Sequence, residues 1–382
     1  MPYKDLHSSP FALSTITKLE VFEDYAQAWL PTFIMQPAFK QMHIFDFFAG
    51  PGYDVDGVLG SPMRLLFRVK DYEKEIINQN KKIVLHFNEY EPNKTKKQEK
   101  FSLLEKNCQE FIDQHSELSK YIEVKLYNED ASTLFFKLLS DMKAYPSLVY
   151  LDQNGVKFIS QQFFTELEKL KTVDFLYFVS SSYFWRLGHT PEFQKVLPLD
   201  MSQVKRGRYT DVHRIVSGAL KATLPNESAL KLFPFSIRKD PNIYGIIFGA
   251  KHYRAVDKFL TIAWQRNETN GEADFDIDGE IISEPIQLDI FAASEPRKLT
   301  KVEAFKGDIR HQVLAGELAD NGRVLLYTYE AGHLPRHATD VLKELKTQGK
   351  VQYEGGSPGI SYKTVYTDKE IIKYTLNGTV KH

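Results

Sequence analysis

The chain has 382 residues and a formal net charge of −1, from 49 Lys and Arg against 50 Asp and Glu. Hydrophobic residues make up 42% and charged residues 26%, a mixture that buries a core and excludes a disordered acidic or basic polymer. Its one cysteine, Cys108, excludes an intrachain disulfide and a thiolate metal cage, and points to the cytoplasm. Residues 1–10 lack the charged-then-apolar profile of a signal peptide. No apolar run approaches the ~18 residues of a membrane span, so no membrane partner is expected.

Leu19, Phe22, Trp29 and Phe33 recur at helical spacing, which predicts an amphipathic helix from Lys18 to Met35. His43 to Phe48 reads as a buried strand ending in Ala49-Gly-Pro-Gly52. A helix over Pro62 to Asn78, a strand over Ile83 to Phe87 and a charged helix over Lys94 to Leu118 follow. Ile122 to Tyr127, Leu148 to Leu151 and Asp174 to Val179 read as strands, separated by helices at Ala131 to Met142 and Phe158 to Leu170. This alternation predicts a parallel sheet covered on both faces. After a helix over Asp211 to Thr223, Phe233 to Arg238 and Tyr244 to Lys251 form a hairpin at the sheet edge, with a helix over His252 to Arg266 packed behind it.

The composition turns acidic and loop-like from Gly271 to Pro296. The expected division is therefore an α/β domain over 1–272, a linker over 273–296 and a winged helix over 297–382. Within the last, helices are expected at Thr300 to Glu317 and Pro335 to Thr347. Strands are expected at Val324 to Tyr327, Lys350 to Tyr353 and Tyr362 to Tyr366.

The chemistry concentrates at Asp46-Phe-Phe-Ala-Gly-Pro-Gly52. Its glycines admit a close backbone approach to a ligand. A dinucleotide fingerprint needs a third glycine where Val55 stands, and no Walker loop follows a strand. In S-adenosylmethionine (SAM) enzymes, an acid placed like Asp46 anchors the amino-acid end of the cofactor, and the chain from Phe48 and Ala49 to Gly50 and Gly52 passes beside it. A second acid belongs at the end of the second strand for the ribose: Glu89, with Glu91 as alternative. A third, Asp130 beside Ala131, belongs at the adenine. Each lies at the carboxyl end of a successive strand, where open α/β sheets bind ligands. The competing role for such acids is helix capping.

At these residues the sequence resembles the three-Cys-motif partner proteins (TcmP). The resemblance rests on Tyr25-Ala-Gln-Ala-Trp29, the Asp46 loop, Gly60-Ser-Pro62, Phe175-Leu-Tyr-Phe-Val-Ser-Ser-Ser182 and Asn242-Ile-Tyr-Gly245, and runs through most of the chain. It implies a class I methyltransferase-like (Rossmann-like) sheet of seven strands with a terminal antiparallel hairpin, followed by a winged helix. It also implies a Cys-rich companion resembling radical-SAM enzymes.

At the fourth strand, Asp152, Gln153 and Asn154 offer acceptors to a methyl-accepting group, with a hydrogen-bonded structural role as the alternative. Gly155 supplies no stacking ring, for which Phe158 is a replacement, and Lys157 is within reach of the same mouth. Methylation at cytosine carbon 5 is excluded, because Cys108 lies in the charged helix Lys94 to Leu118, far in chain order from the fourth strand. Ser180 to Ser182, Arg186 and His189 follow the fifth strand, and His213 reads as a structural histidine. Arg336, Lys343 and Lys346 on the second helix of the winged segment point to nucleic acid, DNA before RNA, with protein contacts as the alternative use of a winged helix. Lys205, Arg206 and Arg208 form a second basic cluster. Lys94, Lys96, Lys97 and Lys100 read as a solvated helix face. No compact metal-ligand spacing is present, so no metal is expected.

Overall fold

The computed structural model describes residues 9–91, 94–153, 157–197, 199, 201–202, 209–239, 242–280 and 299–377. By contacts it divides into two compact units, Met1–Ala255 and Val256–His382, a boundary earlier than the expected 272.

In the first unit the chain enters through helix α1 (Leu13–Ile34) and strand β1 (Gln41–Asp46). Helices α2 (Ser61–Asp71) and α3 (Glu73–Asn78) replace the single predicted helix, which breaks at Tyr72. Strand β2 (Lys82–Asn88), helix α4 (Lys94–Gln114), strand β3 (Ile122–Tyr127), helix α5 (Ala131–Ala144) and strand β4 (Ser147–Leu151) follow. Next come helix α6 (Gln161–Lys169), strand β5 (Val173–Ser180), and helices α7 (Ser181–Leu187), α8 (Pro191–Val196) and α9 (Val212–Ala222). The hairpin is β6 (Lys231–Lys239) and β7 (Asn242–Ala250).

The sheet order is β3-β2-β1-β4-β5-β7-β6. Strands β1 to β5 are parallel, and β7 inserts antiparallel beside β5 with β6 outside it. This is the seven-stranded class I methyltransferase-like sheet with its terminal hairpin. Every residue of β4 and β5 is buried, as a sheet covered on both faces requires. One face packs Phe45, Phe47, Phe135, Phe158 and Phe163 with helices α5 and α6. Helix α1 lines the other. Phe22 stacks on Tyr150 at 3.9 Å, and the Tyr25 hydroxyl donates to Asp174 at 2.7 Å. Because Lys18 meets Asp152 just beyond β4, α1 runs from the carboxyl ends of the strands toward their starts.

The second unit takes in most of helix α10 (Tyr253–Arg266), then α11 (Lys301–Leu314), α12 (Asn321–Glu330), α13 (Pro335–Thr347) and the short antiparallel pair β8 (Val351–Gln352) and β9 (Thr375–Leu376). Three corrections apply. The segment Val324 to Tyr327 is helix, because Asp320 caps it through the Arg323 amide at 2.8 Å, and Val324, Leu325, Thr328 and Tyr329 bury one helical face. Tyr362 to Tyr366 is no strand; Lys363–Thr367 forms a π-helical turn, and the wing partner is β9. Residues 273–280 of the expected linker are packed, with Ala273 and Ile277 buried and Lys301 paired to Glu272 at 2.8 Å. Buried Asn321 ties the wing: its amide donates to Gly359 and Glu370 carbonyls and accepts from the Ile372 amide. Among the described residues no helix is long and apolar enough to cross a membrane.

Candidate functional site

The chain leaves β1, runs outward to β3 and returns to β4 on the other side of β1, so the carboxyl ends of β1 and β4 flank the topological switch point. Three polar side chains feel one another's charge there, from Asp46, Tyr150 and Asp152, and Gln153 follows Asp152 in the chain.

Asp46, the last residue of β1, is 1% exposed. Its Oδ1 accepts from the Phe48 amide at 3.0 Å, and its Oδ2 has no hydrogen-bond partner among the described residues. Burial pushes the carboxyl up to about 7, against the pull of the Ser61 hydroxyl and the Phe48 amide. The Tyr150 hydroxyl is also buried without a partner, and burial, then the fields of Asp152 and Asp46, hold it protonated.

The glycine loop bends as its sequence requires. Gly50 and Gly52 have φ of 70° and 104°, in the region that favours glycine. The Gly60 amide donates to the Gly52 carbonyl at 2.8 Å, and a Cβ on Gly60 would stand 3.1 Å from that oxygen. The Phe48 and Ala49 amides are used inside the protein: Phe48 on Asp46, and Ala49 on the Asn88 carbonyl at 3.0 Å. Neither donor faces a ligand.

Glu89 follows β2 directly and is buried. Its alternative, Glu91, pairs with Lys100 at 3.2 Å, both side chains buried. Lys100 is therefore no part of a solvated face, and Glu91 is committed to it. Asp130 caps α5, accepting from the Ser132 and Thr133 amides at 3.1 and 3.2 Å and from the Ser132 hydroxyl. These hydrogen bonds, the Ser132 hydroxyl foremost, hold its carboxyl below the usual range. Ala131 is buried as the first residue of α5.

At β4, Asp152 is ion-paired with Lys18 of α1, whose ammonium also lies 4.3 Å from the Phe178 ring centre. The Gln153 carbonyl accepts from the Phe158 amide at 2.8 Å, while its amide nitrogen is buried without a partner. Asn154 lies outside the described residues, as do Lys205, Arg206 and Arg208. Phe158 cannot serve as an exposed stacking ring, because it is buried against Phe135 and Phe163. Lys157 reaches the Ser132 hydroxyl at 2.5 Å and not Asp152. His213 is a buried structural group on the Val179 carbonyl at 3.0 Å. Cys108 is buried and its thiol is pushed up to about 12 by burial, as an inert cysteine should be.

Besides Tyr150, two residues of the site escape the sequence motifs. Asn88 clips three segments together: its amide donates to the Phe47 and Glu129 carbonyls, and its oxygen accepts from the Glu129 amide. Lys18 sits on the stripe of Phe22, Tyr25 and Trp29, all buried; a cation on the apolar face of a helix was the available signal.

On α13, Arg336 and Lys343 are exposed. Lys346 is folded back onto the Tyr353 and Gly355 carbonyls at 3.0 and 2.8 Å. Asp340 and Glu344 on the same helix pair with Lys306 and Arg310 of α11 at 2.8 and 2.7 Å.

A family model for the GMT-like wHTH domain matches residues 276–356. No curated protein matches the chain. Among solved structures it is similar to the O-methyltransferase TomG from Streptomyces achromogenes in complex with SAM, at 9% identity and a TM-score of 0.32, over 63% of this chain and 90% of that one. It is also similar to cofactor-bound Rv0187 from MTB, at 10% identity and a TM-score of 0.30, over 62% of this chain and 88% of that one. The strand order, and not these distant likenesses, carries the fold assignment.

Proposed function

We propose that the chain is a SAM-dependent methyltransferase of the cytoplasm that acts on or is recruited to nucleic acid, in DNA modification, repair or defence. The Cys-rich, radical-SAM-like companion implied by the resemblance to the TcmP proteins belongs to the same reading. The observation that supports it most is Asp46 Oδ2, a buried carboxylate oxygen without a partner at the switch point. Leaving such a group unpaired costs about 1–3 kcal/mol or more, and the ammonium end of the cofactor supplies the missing charge. The loop beside it turns through Gly50 and Gly52, both at positive φ. Glu89 is assigned to the ribose and Asp130 with Ala131 to the adenine.

When bound, SAM supplies an electrophilic methyl group. The chain's own part is to orient the acceptor. Asp152, held in place by Lys18, accepts a hydrogen bond from the incoming N–H or O–H. The unpartnered Gln153 amide nitrogen donates one. Asn154 is the further acceptor read from the sequence. Nucleic acid is assigned to Arg336 and Lys343 of α13, both exposed, with Lys346 and, separately, the sequence cluster Lys205, Arg206 and Arg208 as the remaining candidates.

A second reading, a non-catalytic SAM-binding or structural partner that recruits its companion to nucleic acid, is favoured by one observation. The ion pair with Lys18 already occupies the acid at the acceptor position, which leaves it less free to take a hydrogen bond from an incoming group.

Calorimetry with S-adenosylhomocysteine tests the cofactor assignment. Wild type should bind, and Asp46→Asn should bind ~10-fold or more weakly, the worth of a charge-assisted hydrogen bond. Absent heat in the wild type, or equal affinity in the variant, removes the cofactor assignment. If binding holds, labelled methyl transfer to DNA separates enzyme from scaffold.

A further inference from the structure

On the other face of the sheet, the structure brings together three ligand-type side chains that lie far apart in sequence. His43 of β1, His86 of β2 and Asp141 of α5 each offer one donor atom, and these atoms all lie within 4.8 Å of one another. We propose that they form a binding site for a divalent transition-metal ion, zinc foremost, that pins α5 to β1 and β2. The expectation of no metal rested on sequence spacing, which a site drawn from two strands and a distant helix does not display.

Strand alternation separates this site from the cofactor crevice: His43 and Phe45 point to the α5 face, Asp46 to the α1 face. The two imidazoles are buried and face each other, with His43 Nδ1 2.9 Å from His86 Nε2. The outward nitrogen of each ring already has a partner. His43 Nε2 lies 2.6 Å from the Gln41 side-chain amide, and His86 Nδ1 lies 3.0 Å from the Tyr127 hydroxyl. Outer-shell partners of this kind are what fix the tautomer and orientation of metal-ligating histidines. The rings are held in plane as well, His43 by Tyr145 at 4.5 Å and His86 by Phe45 at 4.2 Å. The nearby cations do not oppose a metal ion unscreened, since Glu123 pairs with both Lys82 and Lys125.

The donor set is two imidazoles and a carboxylate, which suits zinc or a similar first-row ion. Metal–ligand bonds of ~2.0–2.2 Å place neighbouring ligands of a tetrahedral ion ~3.3 Å apart, so the imidazoles part by a few tenths of an ångström and Asp141 closes in. Without an ion, the short imidazole contact is a hydrogen bond, donated from one ring to the other. To bind a metal, His43 must carry its proton on Nε2, donated to the Gln41 oxygen after an amide flip, and turn a bare Nδ1 inward. His86 does the same with its Nδ1–H on Tyr127. This makes Gln41 a positioning residue: a carboxylate there would hold the metal-ready tautomer of His43.

The test uses the full chain stripped with chelator and titrated with zinc chloride by calorimetry and with cobalt chloride by visible absorption. The expected result is one saturable site per chain with the ligand-field bands of low-coordinate cobalt. Asp141→Asn, checked for native circular dichroism, should weaken zinc ~10-fold or more, and Gln41→Glu should tighten it ~10-fold. Absence of a saturable site in the wild type, or one zinc affinity shared by wild type, Asp141→Asn and Gln41→Glu, overturns the proposal.

Discussion

At the scale of single residues, Asp46 sets a measurable pH dependence. Its carboxyl stands at about 7 when folded, against ~3.9 in an unfolded chain. A raised carboxyl pKa means that the fold favours the protonated form. Its contribution to stability is full below ~3.9 and is lost as the pH rises through about 7, on the order of 4 kcal/mol in total for a group buried this deeply. Denaturant unfolding at about pH 5 and about pH 8 should therefore show a larger fall for wild type than for Asp46→Asn, which cannot ionise. The cofactor follows the opposite course. A cationic ligand end selects the ionised carboxylate, so S-adenosylhomocysteine affinity should rise ~10-fold per pH unit below about 7 and level off above it. Calorimetry across that range should find no such slope in Asp46→Asn. Of the three acids read from the sequence, Asp46 displays a buried oxygen without a partner, whereas Asp130 is an exposed helix cap and Glu89 is buried with partners of its own.

At the scale of elements, the hairpin explains a glycine that the family-like motif Asn242 to Gly245 contains. A Cβ on Gly245 would lie 1.9 Å from the His213 ring, and that ring is held by the Val179 carbonyl at 3.0 Å and the Ser236 hydroxyl at 3.3 Å. Helix α9 can thus close on β7 only over a glycine. Gly245→Ala should cost ~3 kcal/mol or more. His213→Ala should relieve part of that, so the double variant should fall short of the sum of the two single losses in denaturant unfolding. Short apolar runs show the converse limit. Val324-Leu-Leu-Tyr327 is consistent with strand or helix by composition, and the Asp320 cap and the buried face continuing to Tyr329 decide for helix.

At the scale of the whole molecule, the charge of −1 averages unlike parts: residues 333–382 carry eight Lys and Arg against five Asp and Glu. The structure narrows even that surplus. On α13, Asp340 and Glu344 are paired across to α11 and Lys346 is spent on the wing, which leaves Arg336 and Lys343 as its exposed cations. Fluorescence anisotropy with duplex DNA should show Arg336→Glu with Lys343→Glu weakening binding at low salt, and flattening the log–log salt slope by about 2. Unchanged binding would detach the winged helix from nucleic acid. Point variants are preferable to deleting 297–382, because Trp264 Nε1 donates to the Gly332 carbonyl at 3.0 Å within the second unit, and the deletion would strip that partner away. The sequence by itself determined the alternation of strands and helices, the closing hairpin, the glycine loop and the acids at the strand ends, because periodicity and turn chemistry are local properties of the chain. Only the tertiary structure decided which of those acids is left unpaired, that Lys18 meets Asp152, that Phe158 turns into the core, and that His43, His86 and Asp141 converge. Each of these depends on burial and on partners supplied by distant segments, which no local pattern records.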